Sequence, residues 1–356
     1  MDIMKLREYE GLSPFEIKDF LAKAASKVAG TSAVTYLNAG RGNPNWIATE
    51  PREAFFLLGQ FALVESKRVM DLPPGVGGMP KARGIASRMS AWLGRHAEMP
   101  GAGFLGALVP WAVQKFGFDA DKFVHELVDS IIGDNYPVPD RMLVHNEQVV
   151  HEYLQWAMCG SPRPKGKFKL YAVEGGTAAM CYIFKSMKTN RLLNAGDTIA
   201  LGTPIFTPYL EMPHLEDYDL KIVNIQATQE NRWQFDDAEL DKLLDPKIKA
   251  FFLVNPGNPS AVALSAKTIA KIGAILKRRP DLILLTDDVY GTFVPGFRSL
   301  LGAFSARSNK VTHELVERAA ETLDLQPVER SRFAWLRRRA PLVAGPRPSS
   351  SSVSYR

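Results

Sequence analysis

The amino-acid sequence predicts an α/β protein with a mostly parallel sheet flanked by helices. Between about residues 165 and 290, short apolar runs alternate with stretches whose apolar residues recur at helical spacing. This alternation is typical of βαβ units, in which helices cover a parallel sheet. After about residue 304 the alternation stops, and arginine and serine become frequent. We therefore expect a sheet domain that ends near residue 304.

Five apolar runs are predicted as strands because they are short and are bounded by turn residues or charges. They are residues 168–173, 197–202, 220–225, 248–254 and 281–287. Helices are predicted from Thr177, near 237–244 and over 266–279. An earlier helix is predicted over 14–27, because Ser13 and Glu16 form a capping-box pattern with Pro14 at the first helical position.

Composition divides the chain into three parts. Residues 1–150, with irregular Gly/Pro punctuation, are predicted as an N-terminal arm and part of a small domain. Residues 151–304 are predicted as part of a large domain that contains the sheet. Residues 305–356 are a basic, serine-rich tail that we predict to be disordered. The tail holds nine arginines and one lysine against five acids, so most of the formal charge of +6 lies there.

The sequence also bounds where the protein works. It has no run of about 18 apolar residues, and charges occupy the positions where a signal peptide has its apolar stretch. Cys159 and Cys181 form no paired motif, as is common in a reducing compartment. We expect a cytoplasmic protein without a membrane partner. We expect no nucleic-acid partner either, because the basic tail lacks interleaved aromatic residues.

Two segments begin like the HExxH motif of zinc metalloproteases. They start at His125 and His313, but Asp129 and Glu317 stand where the second histidine ligand is required. We therefore exclude a metalloprotease, predict no metal site and interpret both segments as ordinary helix faces.

Residues that follow the predicted strands carry the chemistry, because sites in parallel sheets lie at the carboxyl ends of strands. Gly175, Gly176 and Thr177 open a predicted helix, whose free N–H groups and dipole suit a phosphate. Taken alone, the segment is more typical of a capped turn. Phe206 follows the next strand, where a planar cofactor ring can stack on it. A core phenylalanine is the alternative.

Two further strand ends complete the set. Asn258 lies in the turn Asn255-Pro256-Gly257-Asn258-Pro259. Asp287 and Tyr290 follow the apolar run of residues 281–287, where burying a carboxylate is costly unless it meets a positive partner. A protonated pyridine nitrogen is such a partner. The alternative reading of the consecutive acids Asp287 and Asp288 is a helix cap or a solvated loop.

In this order and spacing, the four segments resemble the fold-type I pyridoxal-phosphate aminotransferase superfamily, classes I and II. The longer stretches LNAGRGNPNW, NYPVPDRML, YAVEGGTAAMCYIF, PIFTPYLEMP and LTDDVYGTF resemble the aspartate 4-decarboxylases within it. The resemblance covers about residues 10–303. It implies an incomplete fold that lacks the family's last strands and C-terminal small domain.

The resemblance implies pyridoxal 5'-phosphate as cofactor and gives each residue a role. Gly175, Gly176 and Thr177 would bind the phosphate, and Phe206 would stack on the ring. Asn258 and Tyr290 would bond its phenolic oxygen, and Asp287 would pair with the pyridinium nitrogen. Tyr136 would reach the phosphate of a neighbouring subunit in a dimer or larger homo-oligomer. Gly40 and Arg41 would line the pocket for the carboxylate of the substrate.

The implied reaction converts L-aspartate into L-alanine and carbon dioxide, and it needs a Schiff-base lysine. That lysine is expected 25–35 residues after Asp287, in a Ser-x-Ser-Lys segment. Lys310 lies slightly early, and Asn309 precedes it where serine is expected. We therefore expect that Lys310 is not catalytic and that this chain is inactive. A reading-frame shift near residue 304 is our hypothesis for the abrupt loss of resemblance.

Two other functions remain open from the sequence. An aminotransferase of class I or II acting on aspartate or alanine would use the same cofactor site. A non-catalytic chain that binds the cofactor, or that pairs with an intact subunit, would need no lysine.

Overall fold

The computed structural model of the protein describes residues 14–30, 47–133, 142–159, 170–215 and 218–300. These residues form two compact units. The helical unit comprises the described residues between 47 and 149, and the sheet unit comprises residues 14–30 together with the described residues from 150 to 300. Within these ranges, no helix has both the length and the apolar character needed to cross a membrane.

The first helix, α1 (Pro14–Gly30), confirms the helix predicted over 14–27 and extends it by less than one turn. Proline stands at its first position, where the missing N–H has no intrahelical partner to lose. Ser13, the predicted cap, lies outside the described residues.

The helical unit is built around α2 (Thr49–Val69), α3 (Ile85–Gly94), α4 (Ala102–Phe116) and α5 (Ala120–Ile132). Their apolar faces meet in a core that includes Leu57, Phe61, Ile85, Met89 and Val124. Gly101 precedes α4 with a φ of +82°, and a Cβ at this position would lie 2.2 Å from the backbone nitrogen of Ala54. Only glycine allows this close approach, because its backbone carries no Cβ.

A charged cluster joins two helices of this unit. Glu65 on α2 is 1% exposed, and both of its carboxylate oxygens accept hydrogen bonds from Arg88 on α3 and from Arg68. The distances are 2.7 Å to Arg88 Nη2 and 3.0 Å to Arg68 Nη2. Burial raises the pKa of Glu65, but the hydrogen bonds from the two arginines outweigh burial, so the net pKa is lowered. This buried acid is therefore held in its charged form.

The sheet unit alternates helices and strands after α6 (Val144–Met158). In chain order the elements are α7 (Gly176–Thr189), β1 (Thr198–Thr203), α8 (Pro208–Glu211), β2 (Lys221–Gln226), α9 (Asp237–Asp241), β3 (Ile248–Val254), α10 (Ala266–Arg278) and β4 (Ile283–Asp287). Short 3₁₀ turns follow α8, α9 and β4. This order confirms the predicted α/β alternation.

The four strands of the described sheet are arranged in the order β2-β1-β3-β4, and every neighbouring pair is parallel. Leu253 pairs with Thr286 and Val254 with Asp287, which fixes the register of β4 against β3. Parallel strands place all their carboxyl ends at one edge. The predicted class, a parallel sheet flanked by helices, is confirmed.

Both faces of the sheet are buried. On one face, Phe252 and Val254 of β3 pack with Phe184 of α7 and with Tyr209, and the Phe184 and Phe252 rings stack 4.9 Å apart. On the other face, Leu253 of β3 packs with Leu284 and with α10. We call them the Tyr209 face and the α10 face. Burial on both faces explains why the strands are almost continuous apolar runs.

One predicted strand is wrong over the part that the structure describes. Residues 170–173, the described end of the run at 168–173, are in no strand. An extended segment becomes a strand only when a neighbour accepts and donates its backbone hydrogen bonds, and these residues pair with none of the four described strands. The predicted tail, residues 305–356, lies outside the described residues.

Candidate functional site

Three loops of the sheet unit leave the same edge of the sheet. Phe206 follows β1, Asn258 follows β3 and Tyr290 follows β4. Because these strands are parallel, the loops meet at their common carboxyl end. Helix α7 leads into the start of β1 and packs along the Tyr209 face, so its N-terminus points back toward this edge. The described candidate residues after β1, β3 and β4 thus lie toward one edge of the sheet.

Asp287 ends β4 and is buried, with 7% of its surface exposed. Its Oδ1 accepts a hydrogen bond from the backbone N–H of Val289 at 3.1 Å, and its Oδ2 accepts one from the Tyr209 hydroxyl at 3.4 Å. Burial raises the pKa of Asp287, and these two hydrogen bonds only partly oppose the rise. Among the described residues, no cationic side chain acts on this pKa. The carboxyl group therefore suits a positively charged ligand atom.

Tyr209 is a site residue that the sequence reasoning missed. It lies in α8, three residues after Phe206, and is 6% exposed. Burial, with the nearby Asp287 carboxylate, raises its pKa well above the ordinary value, so the hydroxyl keeps its proton and donates to Asp287. The local sequence held no signal for this contact, because Asp287 lies 78 residues further along the chain.

Asn258 and Tyr290 line one cleft of about 410 Å³. The turn that carries Asn258 is closed by a bond from the Gly257 N–H to the Val262 carbonyl at 2.9 Å. The preceding Asn255 is 1% exposed, and its backbone N–H donates to the carbonyl of Asp287 at 2.8 Å. That bond ties the Asn258 turn to the end of β4. The two residues predicted to share one ligand atom are thus brought to one cavity.

The predicted phosphate loop opens α7. The helix begins at Gly176, one residue before the predicted start at Thr177. Its N-cap is Gly175, which has a φ of +123° and makes no side-chain capping bond. The first turn therefore lacks a side-chain cap from its own N-cap residue, and Thr177 is exposed beside it. A 14-residue helix with such an end presents N–H groups and a positive dipole to an anion.

Phe206 is partly buried and packs against the apolar cluster of the Tyr209 face. The alternative reading as a core phenylalanine therefore holds in part. Phe206 lies in the loop between β1 and α8, and its stacking on a cofactor ring stays a prediction.

Four predicted residues cannot be placed. Tyr136, Gly40, Arg41 and Lys310 lie outside the described residues. Their roles stay predictions.

The first HExxH-like segment is on a helix, as expected. Glu126 on α5 accepts hydrogen bonds from the backbone N–H groups of Val144 and His145, at 3.1 and 2.9 Å, and so caps the start of α6. His125 contacts the carbonyl of Pro80 at 3.0 Å and Asp129 at 3.1 Å. Both side chains have structural partners. The segment at His313 lies outside the described residues.

The fold and the site define a class of protein. Residues 172–319 match the family Aminotransferase class I and II. The match confirms the predicted resemblance to the superfamily of pyridoxal-phosphate enzymes and the cofactor expected for it.

Particular relatives narrow the comparison. The bifunctional aspartate aminotransferase and L-aspartate beta-decarboxylase of a Pseudomonas species is 50% identical over 296 residues, which are 83% of this chain and 55% of the relative. An aspartate aminotransferase of Rhizobium meliloti is 29% identical over 37% of this chain and 31% of its own. Among solved structures, an alanine aminotransferase of Pyrococcus furiosus is 18% identical with a TM-score of 0.41, covering 64% of this chain and 58% of its own.

Two features of these matches bear on function. The chain spans about half the length of the Pseudomonas relative. The family match extends to residue 319, past the predicted end of the resemblance at 303, and it includes Lys310. The 296 residues matched to the Pseudomonas relative agree in number with the predicted resemblance over about residues 10–303. The boundary near residue 304 stays a prediction.

Proposed function

We propose that this chain binds pyridoxal 5'-phosphate at the carboxyl edge of its sheet and derives from an enzyme that acts on L-aspartate. The observation that carries the proposal is Asp287, a buried acid at a strand end on whose pKa no cationic side chain of the described residues acts. Sequence identity of 50% to a protein named as an aspartate aminotransferase and beta-decarboxylase supports the substrate.

Each residue near the edge has a task in this proposal. The open start of α7, with Gly175, Gly176 and Thr177, binds the phosphate. Asp287 pairs with the ring nitrogen and keeps it protonated, while Tyr209 keeps the carboxyl group in place. Asn258 and Tyr290 donate to the phenolic oxygen, and Phe206 covers the ring. When bound, the cofactor supplies an electron sink for the bonds around the substrate Cα.

The proton transfers implied by the resemblance need a lysine amine. The activity that we propose therefore depends on whether this chain has such a lysine. Lys310 is the one lysine of the sequence after Asp287, and it lacks the Ser-x-Ser-Lys context. Losing a general base lowers a rate by about 10²–10⁴-fold. We therefore propose that this chain holds the cofactor without covalent attachment and forms almost no alanine from aspartate.

Two alternative functions are each favoured by a specific observation. An aminotransferase activity is favoured because the Pseudomonas relative is named for both reactions. A non-catalytic partner subunit in a homo-oligomer or mixed oligomer is favoured by the missing Ser-x-Ser-Lys pattern. Product analysis separates aminotransferase from decarboxylase activity, because only transamination needs a keto-acid acceptor. Size-exclusion chromatography after co-expression with a full-length homologue tests whether this chain pairs with an intact subunit.

The proposal is tested with two ligands on the same purified protein. Pyridoxamine 5'-phosphate cannot form an imine with lysine, so its saturable binding reports the non-covalent site alone. Pyridoxamine without phosphate is the matched control and should bind at least tenfold more weakly, since it lacks the anion that α7 holds. Absence of saturable binding to the phosphorylated ligand would contradict the cofactor proposal.

Pyridoxal 5'-phosphate then tests the lysine. After borohydride reduction, mass spectrometry should find no preferred lysine, and aspartate should give no alanine or carbon dioxide above a no-protein control. Stoichiometric modification of Lys310 together with alanine formation would show instead that this lysine is catalytic.

A further inference from the structure

Asp288 follows the proposed cofactor aspartate, one residue beyond the end of β4, and has a different partner. Asp287 contacts Tyr209, whereas Asp288 contacts Ser299, and Asp288 and Ser299 are 6% and 3% exposed. The reading of these acids as a solvated loop is therefore wrong. The site described above uses only one of two buried acids.

The contacts of Asp288 join three segments of the sheet unit. Its Oδ2 accepts a hydrogen bond from the Ser299 hydroxyl at 2.5 Å. Ser299 in turn donates its backbone N–H to the carbonyl of Met158, at the end of α6, at 2.6 Å. The carbonyl of Asp288 accepts from the Gly291 N–H at 2.9 Å. The Asp288 side chain thus links the end of β4 to Ser299, and the backbone of Ser299 links this point to α6.

The segment that this bond closes carries Tyr290. Residues 289–298 run from Asp288 to Ser299, so the Asp288–Ser299 bond joins the two ends of the loop. Inside it, the Tyr290 carbonyl accepts from the Phe293 N–H at 3.1 Å. A Cβ at Gly291 would lie 2.5 Å from the Phe297 ring, so the loop is tightly packed. Movement at its base would displace Tyr290.

We propose that Asp288 is a positioning residue that, through Ser299, closes the base of the loop 289–298 and holds Tyr290 at the cofactor cleft. The proposal rests on the proposed function, since Tyr290 matters there as a ligand of the cofactor. It adds a residue that never touches the cofactor. It also predicts that ionisation of Asp288, which buries a charge beside Asp287, destabilises the loop even though the Ser299 bond favours the charged form.

The charges around Asp288 support this dependence on protonation. Burial is the main cause that raises the pKa of Asp288, Asp287 adds to the rise, and the hydroxyls of Ser299 and Thr286 oppose it, so the net pKa is about 7. From the elements packed around it, Cys159 at the end of α6, Arg298 of the loop and Tyr209 also lie within electrostatic range of this cluster. A negative charge on Asp288 above neutral pH is therefore buried next to the carboxyl group of Asp287.

The sign of the effect follows from proton linkage. Between pH about 4, where an unfolded aspartate ionises, and pH about 7, the folded chain retains a proton that the unfolded chain has lost. Stability from Asp288 is therefore present below this window and is lost as pH rises through it. An asparagine at this position stays neutral and removes that loss.

The first experiment follows thermal unfolding of the ligand-free protein from pH 5 to 8.5. Asp288→Asn should match the wild type at pH 5 and exceed its Tm on the order of 5 °C at pH 8. Ser299→Ala should have a lower Tm at both pH values. Asp71→Asn, which changes an exposed acid just after α2, is the control and should follow the wild-type profile. Parallel profiles for Asp288→Asn and wild type would overturn the proposal.

The second experiment measures binding of pyridoxamine 5'-phosphate to the same variants. From pH 6 to pH 8.5, the wild type should lose affinity for this ligand by on the order of tenfold more than Asp288→Asn does. This is the effect of about one hydrogen bond to a charged oxygen. The ratio between variants at each pH cancels the ligand's own titration. An equal fall in both proteins would also overturn the proposal. If no variant binds the ligand, the proposed function fails, while the unfolding profiles still decide the role of Asp288 in the loop.

Discussion

The helical unit and the sheet unit each bury an acid, but they treat it in opposite ways. Glu65 is surrounded by Arg88 and Arg68, and its pKa is lowered. Asp287 has a tyrosine and a backbone N–H as partners, and its pKa is raised. Both residues are less than 10% exposed.

The difference distinguishes a buried acid that stabilises the fold from a buried acid that binds a ligand, even when the ligand is not known. The chain neutralises Glu65 with its own cations, so that cluster is complete. At Asp287 the chain leaves burial uncompensated, which destabilises the charged form until a cation arrives. Three predictions test this distinction, beginning with the largest expected effect.

Replacing Glu65 by glutamine should destabilise the helical unit by about 3 kcal/mol, because removing one partner of a buried ion pair leaves the other uncompensated. Urea unfolding followed by circular dichroism measures the change. Glu98→Gln, at an exposed position, is the control and should stay within about 0.5 kcal/mol of wild type. A loss as small as the control's would show that Glu65 is not the centre of the cluster.

Replacing Asp287 by asparagine should weaken binding of pyridoxamine 5'-phosphate about 50-fold, the effect of a hydrogen bond between charged groups. The unfolding free energy of the ligand-free protein should not fall, because the variant no longer buries an ionisable acid. Fluorescence titration and urea unfolding measure the two quantities. Strong destabilisation with unchanged binding would make Asp287 a structural acid like Glu65.

The smallest effect is the difference between the pH dependences of these two variants. Glu65 has a lowered pKa, so its contribution is present above the unfolded value near 4.5 and is lost as pH falls through the folded value. Asp287 has a raised pKa, so its contribution is lost as pH rises. The stability deficit of Glu65→Gln should shrink from pH 6 to pH 3, whereas Asp287→Asn should gain on wild type as pH rises. Thermal unfolding across that range measures both, and slopes of the same sign would contradict the comparison.

The sheet was predictable because its strands are buried on both faces. Residues 248–254 were predicted with their observed bounds, and helix α10 differs by one residue at its end. Such runs need no knowledge of their neighbours, since length and flanking turn residues identify them. The run at 168–173 is also mostly apolar, yet its described part is not a strand. Strand pairing depends on a partner that local sequence does not contain.

Candidate site residues could be proposed from sequence where they lie near the ends of strands. Asn258 lies in the turn after β3, and Asp287 is the last residue of β4. Tyr209 and Asp288 were missed because their roles come from contacts across the fold, Tyr209 to a residue 78 positions away and Asp288 to one 11 positions away. A tyrosine after an apolar run, or the second of two acids, carries no sign of that contact. Glu65 was missed for the same reason, since Arg88 lies on another helix.

The paired acids at the end of β4 also bear on how the strand finds its alignment. Ile283 and Leu285 lie on the Tyr209 face and Leu284 on the α10 face, so a slip by one residue exchanges one aliphatic side chain for another. Hydrophobicity therefore distinguishes the two alignments poorly in this strand. The hydroxyl partners distinguish the two alignments better, because only the observed one lets Tyr209 donate to Asp287 and Ser299 donate to Asp288. The same two acids that serve the site thus specify the alignment of the strand that carries them.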